Sequence, residues 1–200
     1  MKSVELARLL GLALVCVLPA CGDDDEGTTP GQSMGNTFEG DAQTPPMGTA
    51  KVMAWLAKGD YKNWACESAA HAARSPSPHG FNRICSNAAI SSAATGTDAW
   101  PKGAAAVKEL LASETDPNPV GYAVYLKTDG ESAGGDNWYW YEIVPLDSPA
   151  PHDNSGVVAD GMGNSGPAKS ICVGCHAGAG ADEAHTPSPG GRDQVYTPVR

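Results

Sequence analysis

The chain has 200 residues, with 13 Lys and Arg against 23 Asp and Glu, a formal charge of -10 and 41% hydrophobic residues. An acidic balance of this size excludes nucleic acid as a partner and excludes adsorption of the protein surface to anionic headgroups, while basic redox partner proteins would be steered toward it. Twenty-four glycines and 16 prolines exclude a bundle of four long amphipathic helices.

Lys2 and Arg8 make a basic start, Leu9 to Leu18 an apolar run, and Leu18-Pro19-Ala20-Cys21 ends it with small residues before a cysteine. This predicts a bacterial lipoprotein signal over 1–20 and a lipid-bearing Cys21. The run is too short for an ordinary spanning helix. The expected location is the periplasmic side of a bacterial membrane, reached through the lipid alone. Residues 21–46, with Asp23 to Glu26 followed by Gly, Thr, Gln, Ser and Pro, read as an acidic tether. A single folded domain is expected over 47–200.

Thr49 is placed to cap a short helix through Ala57, with Val52, Met53 and Leu56 on one face. Residues 66–80, rich in Ala, Ser, Pro and His, read as a loop. Phe81 to Cys85 predicts a strand and Ala88 to Ala94 a turn of helix. Ala104 to Leu111 is ambiguous: its Ala, Lys, Glu and Leu favour helix by propensity, a prior that tertiary pairing often overrides. The alternation from Val120 to Thr128 predicts a strand, as does Asn137 to Val144, where Trp138, Tyr139, Trp140 and Tyr141 concentrate aromatics that make up only 6% of the chain. A glycine-rich stretch from Ser155 to Gly166 then leads to Pro167, a good first residue for a short helix. The tail is again rich in Gly, Ser and Pro.

That short helix would carry Cys172-Val-Gly-Cys175-His176. Cys-x-x-Cys-His is the pattern that attaches a c-type haem: two thiols add across the vinyl groups and the histidine becomes an axial ligand of the iron. The competing readings are a redox pair or half of a zinc site, the latter needing further ligands at suitable spacing. With Cys16 lost in the signal and Cys21 lipidated, Cys66 and Cys85 remain. In an oxidising compartment a disulfide between them is the natural inference, closing a loop of about 20 residues for about 3 kcal/mol; two further metal or redox ligands are the alternative.

Several stretches together resemble the cytochrome P-460 family. They are Phe81-Asn-Arg83-Ile-Cys85, Trp100-Pro-Lys-Gly103-Ala-Ala-Ala-Val107-Lys108-Glu109-Leu110, Val120 to Lys127, Gly135-Asp-Asn-Trp138-Tyr-Trp-Tyr141, the haem motif, and Asp193-Gln-Val-Tyr196-Thr197. The likeness covers roughly residues 80–200, and only the haem motif is specific by itself. It implies an α+β fold dominated by an antiparallel sheet, one haem c per chain with His176 as proximal ligand, an open axial site, and Ala104 to Leu111 as a strand. Family members often pair as homodimers. In P-460 members the lysine matching Lys108 bonds to the porphyrin edge, whereas the β-type cytochromes c′ lack that link and bind small gases.

The resemblance further implies that Arg83 is a distal arginine donating to an iron-bound nitrogen oxide. Glu142, following the aromatic run, is a candidate proton acceptor, although an alternating strand can equally turn it outward. His71, His79 and His185 are candidate sixth ligands. Three functions follow as expectations: oxidation of hydroxylamine or nitric oxide, with Lys108, Arg83 and Glu142 as the catalytic set; binding of nitric oxide without turnover; and electron transfer by a six-coordinate haem. The family pattern lacks the loop bearing Cys66, His71 and His79.

Overall fold

A computed structural model describes residues 39–73, 77–96, 98–130, 135–179 and 191–200. The lipoprotein signal, Cys21 and His185 lie outside the described residues. Among the described residues no helix is long and apolar enough to cross a membrane.

The chain runs α1 (Thr49–Lys58), a 3-10 turn (Asp60–Asn63), β1 (Ala65–Cys66), β2 (His71–Ala72), β3 (Phe81–Ser86) and α2 (Ala88–Ser91). It continues as β4 (Ala105–Leu111), β5 (Pro119–Lys127), β6 (Trp138–Ile143) and β7 (Val157–Met162). A π-helical turn (Ala168–Val173) then passes into α3 (Gly174–His176). All seven strands form one antiparallel sheet in the order β1-β3-β4-β5-β6-β7, with β2 also paired to β3. The architecture is thus a mostly antiparallel sheet with a few short helices, in the α+β class.

Residues 105–111 are a strand despite their helical propensity, because β4 is hydrogen-bonded on both sides, to β3 and to β5. Tertiary pairing decides the segment. The glycine-rich stretch after Ser155, for which the sequence suggested no element, contributes β7, in which Val158 and Ala159 are buried beside β6. The two-residue strand β2 lies within residues 66–80, expected as a loop, and β1 overlaps their start at Cys66.

Alternation along the strands gives the sheet two apolar faces. On one, α1 and the 3-10 turn bury Val52, Trp55, Leu56 and Tyr61 against Val107, Val124, Leu126, Tyr139 and Tyr141. Trp55 takes the place expected for Met53, which is 37% exposed. The helix start is capped from across the sheet. Asp160 Oδ2 accepts from the Thr49 N–H and hydroxyl at 2.7 Å each, and Tyr139 Oη, which donates to Asp160, accepts from the Gly48 N–H.

The expected tether ends earlier than residue 46. The backbone carbonyls of Asp41 and Ala42 accept the indole N–H groups of Trp55 and Trp64 at 2.7 and 2.8 Å, and Pro45 and Pro46 are buried. A buried indole N–H needs an acceptor, and this segment supplies two.

On the other face Ile84, Ala106, Tyr125, Trp138, Trp140 and Ala159 pack beneath Ala168, Cys172 and Val173 of the helical segment. Two glycines allow that approach. A Cβ on Gly163 would run into the Gly135 carbonyl and into Val173, and Gly135, itself at φ +96°, lies against the same valine. Any larger residue at either position would push the cysteine-bearing helix off the sheet. Cys66 and Cys85 face each other across β1 and β3 and form a disulfide.

Candidate functional site

Cys172, Cys175 and His176 stand at i, i+3 and i+4, so the helix presents them on one side. Cys172 is buried at 7% exposure and Cys175 is exposed, and neither is in a disulfide. Burial, then the negative charges of Glu142 and Cys175, push the Cys172 thiol up to about 12. A thiol so reluctant to ionise is a poor exchange nucleophile, which counts against a redox Cys-x-x-Cys. The π-helical turn immediately before Gly174 is a distortion often found at functional positions.

His176 is held by the tail. Its Nδ1 lies 2.7 Å from the carbonyl oxygen of Gln194, an acceptor only, so Nδ1 carries a proton, which in the neutral ring leaves the lone pair on Nε2. The ring packs against Trp140 at 4.7 Å, Tyr196 at 5.4 Å and Tyr125 at 6.0 Å between centroids. Tyr196 also donates its hydroxyl to the Cys175 carbonyl at 2.6 Å, tying the tail to the end of the motif helix.

A cleft with two lobes opens between this helix, the sheet and residues 71–73 and 77–79. One lobe is lined by His71, Asn82, Ile84 and Thr197 among others, and the second by Tyr125, Trp140, Glu142 and Cys172 among others. His79, Lys108, Cys175 and His176 border both. The second lobe is lined largely by aromatic and aliphatic side chains.

Strand register explains which polar residues reach the cleft. Lys108 pairs with Ala123 on β5, and Ala123 with Glu142 on β6, so Lys108 and Glu142 lie in one cross-strand row on the cleft face with a small residue between them. His79 enters from the loop to join them. Its Nδ1 lies 2.8 Å from Lys108 Nζ and 3.0 Å from Ser77 Oγ, and its Nε2 is 3.5 Å from Glu142 Oε1. Burial, then the Lys108 charge, hold the His79 imidazole below its ordinary pKa, with Glu142 acting in the opposite sense. Lysine, imidazole and carboxylate thus form a chain along which a proton can be held or passed.

Arg83 is not part of this group. It pairs with Glu109 in register while its neighbour Ile84 pairs with Lys108, so the two-residue period turns Arg83 to the α1 face. There its guanidinium contacts Glu109 at 2.7 and 2.9 Å, and Glu109 also accepts from the Tyr61 hydroxyl at 2.7 Å. The distal role expected for Arg83 is therefore withdrawn. His71, half-exposed, contacts Glu67 at 3.2 Å through Nε2 and reaches only the first lobe.

Two contributors were weighed too lightly or missed in the sequence. His79 looked like a loop histidine, and the signal that could have raised it is the flanking cysteine pair, whose disulfide returns the loop to the sheet. Gln194 acts through its backbone, which residue chemistry does not reveal. Among the described residues no group of three or more His, Cys, Asp or Glu side chains is arranged to hold a metal ion. Neither a protein-family model, nor a curated protein, nor a solved structure matches the chain.

Proposed function

We propose that the chain is an exported c-type monohaem cytochrome of the P-460 or β-type cytochrome c′ kind, with an open axial site that binds or oxidises small nitrogen oxides such as nitric oxide and hydroxylamine. The observation that carries this reading is the joint placement of the Cys-x-x-Cys-His motif: a histidine whose Nδ1–H is held by a carbonyl, beside two thiols outside any disulfide, on an aromatic cleft. Trp140 supports it independently. Its indole N–H is buried without a partner among the described residues and lines the same lobe, a cost that a bound group would relieve.

In this reading Cys172 and Cys175 hold the haem through thioether bonds and His176 ligates it. When bound, the haem would supply an iron that changes between ferrous and ferric states and can take a small ligand. The chain's own residues do the rest. Trp140 and Tyr125 exclude water from the second lobe, Gln194 holds the His176 proton on Nδ1, and Lys108, His79 and Glu142 offer a proton store beside the ligand space. Lys108 is the amine placed for a porphyrin link of the P-460 type. Since both nitrogens of His79 already face polar groups of the protein, this arrangement favours an open site over a histidine at the sixth position.

The second reading, a six-coordinate electron-transfer cytochrome, draws on the same residue, because His79 turned away from Lys108 would be a candidate ligand. Lipid anchoring through Cys21, a homodimer and a basic redox partner complete the proposal. Its test is the mass of the denatured mature protein, where one covalently retained haem is expected and none would refute the assignment. In Cys175→Ser the denatured pyridine haemochrome spectrum should report one thioether fewer, and a spectrum of two normal thioethers in that variant would also refute it.

A further inference from the structure

The most heavily engineered polar cluster outside the cleft is a buried ion pair that touches neither lobe. Lys127, at the end of β5, is fully buried, and its ammonium lies 2.7 Å from Asp193 Oδ2 with the carboxylate only 5% exposed. Asp193 is also the acceptor for the backbone N–H of Trp100 at 2.9 Å and the indole N–H of Trp138 at 3.2 Å. One carboxylate thus gathers three donors from three separate parts of the chain.

The segment that this carboxylate pins is a tight turn. Asp193 and Gln194 have φ of +40° and +71°, the two non-glycine residues with positive φ among those described. They are the central residues of a turn closed by Arg192 and Val195, whose backbones exchange both N–H···O bonds at 2.9 Å, and such a turn requires left-handed backbone at both positions. Its result is the direction of one atom: the Gln194 carbonyl, next in sequence to Asp193, meets His176 Nδ1 at 2.7 Å.

We infer that Lys127 and Asp193 are positioning residues for the axial histidine: their ion pair anchors the turn that aims the Gln194 carbonyl at His176. This rests on the haem reading above for its consequence at the iron. The arrangement is economical in charge, because the Asp193 carboxylate is neutralised by Lys127 and the group that meets the imidazole is an uncharged carbonyl. A carboxylate in that place would pull the Nδ1 proton further and give the histidine more anionic character. A carbonyl holds the ring orientation without doing so.

A buried pair can also be purely structural, and removing one member leaves the other charge uncompensated. The test therefore uses two variants of the haem-loaded protein, Asp193→Asn and the double variant Lys127→Met with Asp193→Asn, in which no charge is stranded. Resonance Raman of the ferrous form and redox titration are the readouts. The expected result in the double variant is a folded protein with a lowered iron–histidine stretching frequency and a raised reduction potential, as the Nδ1–H bond weakens, and the same signs in Asp193→Asn. A double variant that melts differently yet keeps the wild-type frequency and potential would overturn the inference and leave the pair a structural brace. If the wild-type protein carries no covalent haem, the functional reading fails first, and the inference is then decided by nitrogen NMR of the His176 ring. Retention of the Nδ1–H tautomer in the double variant would refute it, and a shift toward Nε2–H would support it.

Discussion

The two faces of the sheet are made from the same strands but closed in different ways. On the α1 face the charged groups are matched within the protein: Arg83 and Tyr61 satisfy Glu109, and Asp160 satisfies Thr49 and Tyr139, while the buried Tyr141 hydroxyl has no hydrogen-bond partner among the described residues. On the motif face a cleft remains, lined by two thiols, an oriented imidazole, a lysine–histidine–glutamate chain and an indole N–H with no partner among the described residues. In the proposed reading the first face serves stability and the second a ligand, and substitutions should separate the two.

The largest effect is expected from Trp55→Ala, which removes a buried ring packed on Tyr61 and Trp64 and should cost about 3–5 kcal/mol in denaturant unfolding while leaving the haem spectrum unchanged. A changed spectrum would break the separation of the faces. Removing the Cys66–Cys85 disulfide by a double Ser substitution comes next, at about 3 kcal/mol for its 19-residue separation. Because that bridge closes the loop bearing His79, ligand binding should change along with stability.

Arg83→Ala follows, at about 1–3 kcal/mol, since it leaves the buried Glu109 without its cation. Ligand affinity should not move, and a large loss of affinity would restore the distal role that its strand position denies it. The smallest effect is a pH dependence. In the unfolded chain His79 takes up a proton near its ordinary pKa of 6.5, whereas burial and Lys108 depress that value in the fold. Stability should therefore fall as pH drops through about 6.5 toward the folded value. His79→Gln should flatten that slope in unfolding curves recorded above and below this pH, and an unchanged slope would show that His79 is not the group responsible.

Much of this division was legible in the sequence where one period or one motif decides it. The alternation of Val120 to Thr128 and the aromatic run at 138–141 announced β5 and β6, and the Cys172 to His176 spacing announced the site. Arg83 shows the limit. Its strand was correctly anticipated, but a one-residue offset in register selects the face, and register is fixed by pairing between distant segments. Lys108 and Glu142 met the same uncertainty and fell on the cleft side, because both pair with Ala123.

β7 and the end of the tether were obscured for another reason. Glycines and prolines there signal loop, yet Val158 and Ala159 complete a sheet edge and the Asp41 and Ala42 carbonyls satisfy two tryptophans. Such roles are defined by what the rest of the fold leaves unsatisfied. The placement of the Asp193-Gln194 turn belongs to the same class, since the Arg192–Val195 backbone pair closes it and the assembled Lys127, Trp100 and Trp138 environment anchors it.

The central claim, a covalent haem on the cleft face with an open axial position, is tested most directly by the optical spectrum of a soluble form starting after Cys21, matured with haem and recorded oxidised and then reduced. The account predicts a five-coordinate high-spin spectrum, with a strongly red-shifted reduced Soret band if Lys108 is bonded to the macrocycle. Sharp low-spin α and β bands would contradict the open site and put electron transfer first, and the absence of any Soret band would contradict the haem itself.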